Sequence, residues 1–243
     1  LINSGINPNG ILCLAFNRDA AEQLIERLNS LKINNRNPSG KSGVMIATFN
    51  SYGYWLLREN GYGNHVIEDK ETEEIAEQTI NELNLNLPRL RGVDHKTNLL
   101  KSIAQIKRGL IPPSIETCSF EDKKGDFFEY PAKPIFDKYQ EISHRRQGLT
   151  FDDQIYYAVD FLCKNSIERN KFQKQISHLI VDEYQDLNPA QISLLRLLTA
   201  YKAQIFAVGD DDQLIYSWRN VSSDNIVDFN NLFEGMRDYS LET

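Results

Sequence analysis

No stretch of about 18 uncharged apolar residues occurs in the chain, so no α-helical membrane span is expected. The start, Leu1-Ile2-Asn3-Ser4-Gly5, has no basic segment followed by an apolar run, so it is not expected to be a signal peptide. Cysteine is scarce: Cys13, Cys118 and Cys163 are the only 3, too far apart for a metal-ligand spacing or a disulfide framework. The 4 histidines, His65, His95, His144 and His178, are equally scattered. A reducing cytoplasm is the expected location. There is no surplus of positive charge either. The net charge of −7, taken alone, argues against a protein that coats nucleic acid by bulk electrostatics. Any nucleic-acid contact must run along a local track in which stacking aromatics carry much of the binding.

What is present is a globular composition. With 243 residues, 41% of them hydrophobic, the chain can bury a sizeable core as one large domain or two smaller ones. Short apolar runs at 11–16, 44–49, 179–181 and 204–208 read as buried strands. Helical spacing marks 19–31, 52–58, 151–164 and 189–200, the last with Pro189 at its first turn. Alternating units of this kind imply a parallel sheet covered by helices on both faces. Residues 61–147 differ: they carry Pro88, Pro112, Pro113, Pro131 and Pro134, with helical runs at 71–83 and 98–107 and no convincing strand pair. The expected organisation is therefore an α/β domain formed by 1–60 and 148–243, interrupted by a mainly α-helical insertion at 61–147.

Ligands of parallel sheets sit at the carboxyl ends of the strands, and the polar residues there are the candidates. Val181 is followed by Asp182-Glu183-Tyr184-Gln185-Asp186. One carboxylate at such a strand end can hold Mg²⁺, and the next can orient or deprotonate an attacking water. A solvated acidic loop would have the same composition. After 204–208 comes Gly209-Asp210-Asp211-Asp212-Gln213-Leu214-Ile215-Tyr216-Ser217-Trp218-Arg219. Gln213 can bond a terminal phosphate or the water, Arg219 can hold a phosphate, and Tyr216 and Trp218 can stack on bases or fill a core. Gly40-Lys41-Ser42 imitates the end of a phosphate-binding GxxxxGK[ST] loop. Position 35, where the first glycine belongs, is Asn35, and the segment precedes a strand instead of opening a helix, so it reads as a polar turn.

These blocks resemble those of the UvrD/Rep-type superfamily 1 DNA helicases. The acidic box DExQD stands as Asp182-Glu183-Tyr184-Gln185-Asp186, followed by Leu187-Asn188-Pro189-Ala190-Gln191, similar to TNxAQ. The family's GDxDQSIYxFRGA resembles residues 209–221, with Leu214 in place of serine and Asn220 in place of glycine. Upstream, TFTNKAA resembles Ala15-Phe16-Asn17-Arg18-Asp19-Ala20-Ala21, TFHS resembles Thr48-Phe49-Asn50-Ser51, and DFDDL resembles Thr150-Phe151-Asp152-Asp153-Gln154. In these, Ala15 and Asn17 replace threonines, Asn50 a histidine and Thr150 an aspartate.

The resemblance implies a RecA-like sheet, the P-loop NTPase fold cut short, with a helical insertion. It implies ATP and Mg²⁺ as cofactors, with Asp182 as metal ligand, Glu183 as catalytic base and Gln213 as sensor of the γ-phosphate. Phe16, Asn17, Thr48, Phe49, Asn50, Tyr216, Trp218 and Arg219 would line a track for single-stranded DNA. It further implies 3′–5′ movement on single strands and at single-strand/duplex junctions. The chain begins without Met and stops before the family's next arginine block, so both ends are expected to be cuts in a longer protein, and residues 1–243 alone are expected to be inactive. Two other readings fit the residues less well: a non-catalytic DNA-binding or regulatory module on a degenerate motor fold, and the helicase part of a nuclease complex.

Overall fold

The computed structural model describes residues 1–87, 94–121, 127–199 and 203–210, with Phe233, Arg237 and Tyr239. In chain order the elements are β1 (Ile11–Ala15), α1 (Arg18–Ser30), β2 (Asn35–Arg36), β3 (Val44–Thr48), α2 (Phe49–Glu59), β4 (His65–Val66), α3 (Asp69–Glu82), α4 (His95–Gly109), β5 (Thr117–Glu121), β6 (Phe127–Pro131), α5 (Ala132–Arg145), β7 (Gly148–Leu149), α6 (Phe151–Lys164), α7 (Ser166–Gln175), β8 (His178–Val181), α8 (Pro189–Leu198) and β9 (Gln204–Ala207). They form two compact units, one of Leu1–Thr48, Ile167–Asn188 and Leu195–Thr243, the other of Phe49–Ser166 and Pro189–Leu194.

The first unit holds a parallel sheet in the order β2-β3-β1-β8-β9. All of β1 is buried, which is why Ile11-Leu12-Cys13-Leu14-Ala15 reads as one unbroken apolar run instead of an alternation. Its odd positions, Ile11, Cys13 and Ala15, meet Ala21, Leu24, Ile25 and Leu28 of α1 together with Val44 and Ile46 of β3. Residues 40–43 form a turn leading into β3, with Lys41 and Ser42 exposed, held by Arg36, which donates to the carbonyls of Gly40 and Gly43 at 3.3 Å and 3.2 Å. Gly40-Lys41-Ser42 thus opens no helix, as its sequence context implied.

The second unit is built on a core of Ile75, Leu99, Ile103, Ile106, Phe120, Ile135, Tyr139 and Ile142 contributed by α3, α4, α5 and β5. It is mainly helical, but the expectation of no strand pair in 61–147 is corrected here. β5 and β6 form an antiparallel hairpin with Cys118 opposite Tyr130 and Phe120 opposite Phe128. Cys118 and Phe120 point into the core, and the Phe120 and Tyr130 rings meet edge to face at 5.8 Å. A short parallel pair joins β4 to β7, whose residues lie just beyond that range. The helices that flank the insertion in sequence, α2 and α6, lie in this unit and pack tightly. A Cβ on Gly53 would stand 2.4 Å from the Gln154 carbonyl oxygen, so only glycine allows that approach. Asn50 Nδ2 donates to the Phe151 carbonyl at 2.7 Å across the same contact.

A buried ion pair fixes the start of α6. Lys107 Nζ donates to Asp153 Oδ1 at 2.6 Å, with both side chains 1% exposed, and sits 5.0 Å from the centre of the Tyr139 ring. The other oxygen of Asp153 accepts from the Thr150 amide and hydroxyl at 3.0 Å and 2.7 Å, completing a capping box. Replacing Lys107 by methionine would strand the Asp153 carboxylate in the core. Chemical denaturation should show a loss of about 3–5 kcal/mol for Lys107→Met. A loss below about 1 kcal/mol, the level of an exposed pair, would contradict this account.

Candidate active site and nucleic-acid interface

The register of the parallel sheet decides which residues meet. Ala15 pairs with Thr48, Leu14 with Val181, and Val181 with Ala207, so β1, β3, β8 and β9 all end on one edge. Phe16 and Asn17 leave that edge after β1, Thr48 closes β3, Asp182 and Glu183 follow β8, and Val208-Gly209-Asp210 follow β9. The ladder continues one step past the strands. Asp182 N–H donates to the Leu14 carbonyl at 3.2 Å, Val208 N–H to Val181 at 2.9 Å, and Tyr184 N–H to Val208 at 3.0 Å.

Asp182 and Glu183 are half-buried. Burial pushes the Asp182 carboxyl above the usual aspartate range, the neighbouring Glu183 charge pushes it further, and only a backbone hydrogen bond from Glu183 opposes them. No lysine or arginine among the described residues forms an ion pair with either acid. Two adjacent carboxylates, partly out of water and with no cationic side chain paired to them among the described residues, offer oxygen ligands of the kind a hard divalent cation accepts. Glu183 adopts φ 51°, ψ 50°, the left-handed region, at a cost of about 1–3 kcal/mol for a residue with a side chain. The bend ends β8 at once and leads into the short 3-10 turn Tyr184–Asp186.

Sequence reasoning gave Gln185 no role of its own, yet its side-chain amide is held at both ends. It is 1% exposed, and it bonds both the Glu183 side chain at 2.6 Å and the Asp210 amide at 3.2 Å. Its only sequence signal was its place inside the acidic box.

The other expected residues divide. Phe16 and Thr48 are half-buried in the first unit, on the same sheet edge as the acids. Asn17 is exposed and caps α1, its Oδ1 accepting from the Ala20 amide at 2.8 Å. Phe49 is fully buried at the start of α2, so its ring presents no open face. Asn50 is half-buried and holds the Phe151 carbonyl. Gln213, Tyr216, Trp218 and Arg219 lie outside the described residues.

Residues 1–234 match the family described as the UvrD/REP helicase N-terminal domain. The chain belongs to this family. Its sheet, with β1 at the centre and the acids after β8, is the RecA-like fold of a UvrD/REP N-terminal domain. The chain is 31% identical over 236 residues to a probable DNA helicase II homolog of Mycoplasma capricolum, covering 94% of this chain and 31% of that protein. It is 28% identical over 228 residues to the ATP-dependent DNA helicase PcrA of Leuconostoc citreum (91% and 29% covered). It is 28% identical over 245 residues to the ATP-dependent DNA helicase Rep of Buchnera aphidicola (95% and 34% covered). The chain thus spans about a third of the length of these relatives. No helix among the described residues is long and apolar enough to cross a membrane. Two departures from the UvrD/REP blocks have a local reason. Asn17 and Thr150 both cap helices, so each exchange keeps a side-chain oxygen at the N-cap.

The raised Asp182 pKa carries a consequence for stability. Folding favours the protonated carboxyl, a contribution fully present below the ordinary aspartate pKa and lost as pH rises through the folded value. At neutral pH the ionised Asp182 therefore weakens the metal-free fold. Asp182→Asn should melt higher than wild type at pH 7 without metal, and the difference should vanish at acid pH. Melting curves across pH check this; equal or lower stability of the variant at pH 7 would refute it.

Proposed function

We propose that these residues belong to an ATP-dependent DNA helicase and translocase that works in the cytoplasm. It would couple Mg-ATP hydrolysis to 3′–5′ movement on single-stranded DNA and to opening of duplex at single-strand/duplex junctions. The observation that carries the reading is the shared sheet edge. The acids after β8 and the candidate DNA residues Phe16 and Thr48, after β1 and at the end of β3, are set by one hydrogen-bond register. A motor requires that nucleotide chemistry and DNA grip be mechanically joined, and neighbouring strand ends join them over a few ångströms.

In this reading Asp182 holds Mg²⁺, whose charge, when bound, neutralises the phosphates of ATP. Glu183 orients the attacking water and takes its proton. Gln213 senses the terminal phosphate. Phe16, Asn17, Thr48 and Asn50 contact the strand, Phe49 shapes the first turn of α2 from within, and Tyr216, Trp218 and Arg219 stack and pair with bases and phosphates. Residues 1–60 and 148–243 act as the motor domain, and 61–147 as its insertion. Residues 1–243 contain no GxxxxGK[ST] loop to cradle phosphates.

The full-length protein should hydrolyse ATP slowly alone and faster with single-stranded DNA, and should unwind duplexes with a 3′ tail in preference to a 5′ tail. Hydrolysis indifferent to DNA, with no unwinding of either substrate, would sink the proposal. The isolated 243-residue chain should hydrolyse ATP only at background rate. Turnover by that chain, abolished in Glu183→Gln, would show that its own residues suffice.

A further inference from the structure

Gln185 lies between two loops, the acidic box after β8 and the Gly209-Asp210 segment after β9. Its Nε2 donates to Glu183 Oε2 at 2.6 Å, and its Oε1 accepts from the Asp210 amide at 3.2 Å. The chemistry permits one orientation only. A flipped amide would set its oxygen against a carboxylate and its NH₂ against an N–H. The side chain is 1% exposed, so water cannot replace either partner. Gly209 makes room for the arrangement, because a Cβ there would stand 2.7 Å from Gln185 Oε1. The turn geometry brings the two side chains of the acidic box together. Glu183 is left-handed, and the 3-10 turn that follows, closed by Asp186 N–H to the Glu183 carbonyl at 3.0 Å, folds Gln185 back onto it.

We propose that Gln185 is a positioning residue that transmits the placement of the Gly209-Asp210 loop to the carboxylate of Glu183. This rests on the reading of Glu183 as the hydrolytic base. The amide is a rigid plane with one partner at each end, so a shift of the loop beyond hydrogen-bond tolerance rotates the amide and releases Glu183 Oε2. While the bond stands, Oε2 is occupied and Oε1 is the oxygen left to accept a proton. Asp210 opens the sequence block that contains Gln213, Tyr216, Trp218 and Arg219. A strand held by that block therefore has a mechanical route to the base through a side chain that is itself buried. The route is distinct from direct sensing of phosphate by Gln213.

The test compares wild type, Gln185→Met and Gly209→Ala in the full-length protein. Gln185→Met keeps the volume and removes both hydrogen bonds. Gly209→Ala reaches the same bond from the other side. Steady-state ATP hydrolysis is measured with and without oligothymidylate, together with the KM for ATP and the melting temperature. For both variants the ratio of DNA-stimulated to DNA-free kcat should fall by about 10- to 100-fold, the scale of a misplaced catalytic group, with KM for ATP unchanged. A merely structural role would lower the melting temperature and both rates together and preserve the ratio; that outcome, or a wild-type ratio in either variant, overturns the proposal. A wild-type protein that shows no DNA-stimulated hydrolysis would instead defeat the functional reading, and this inference with it.

Discussion

The hydrogen bonds of β1 to β3 on one side and β8 on the other govern everything functional in the first unit. Parallel strands in one register must finish together, and these finish with Ala15 beside Thr48 and Leu14 beside Val181. Moving β8 by one residue would turn Leu179 and Val181 to the opposite face and displace Asp182 from the edge. The complete burial of β1 gives the register its strength. Its side chains are trapped on both faces, so a slip would expose apolar surface or leave buried amides without partners.

From that edge the chain performs one abrupt act. Glu183 turns left-handed, and the 3-10 turn returns Gln185 to the carboxylate it has just passed. Strain at one residue, a buried amide at another and a glycine at a third form a single device, each explaining the other two. Keeping a carboxylate pair half out of water is unfavourable, because burial and the neighbouring Glu183 charge both push Asp182 above the usual aspartate range, and such a cost is typical of sites arranged for a ligand. The second unit solves a different problem. Lys107 and Asp153 hold the start of α6 from within, and Asn50 reaches its first carbonyl from α2, so the two sequence blocks that open these helices are tied together.

Much of this was legible in the sequence because the parallel sheet writes itself as apolar runs. Strands at 11–15, 44–48, 178–181 and 204–207 were visible for that reason, and the acids announced themselves by standing directly after one. The hairpin of β5 and β6 was hidden. Cys118 and Phe120 alternate inward over too few residues to outweigh the prolines around them, and the pairing that makes the pattern meaningful is with β6, across 122–126. The role of Gln185 was hidden because hydrogen bonds between loops leave no periodicity. Phe49, expected on a DNA track, carries the same letters as an exposed aromatic would, and only packing shows it to be interior. Gln213, Tyr216, Trp218 and Arg219 remain readings of the sequence alone.

The central claim is that Glu183 acts on the water that attacks ATP and does not serve merely to bind the nucleotide. Measuring both ATP affinity and single-turnover hydrolysis in full-length Glu183→Gln, with single-stranded DNA present, tests it most directly. The account predicts an affinity close to wild type and a hydrolysis rate lower by about 10²–10⁴-fold, the usual contribution of a general base. A variant that binds ATP weakly and hydrolyses what it binds at the wild-type rate would contradict it.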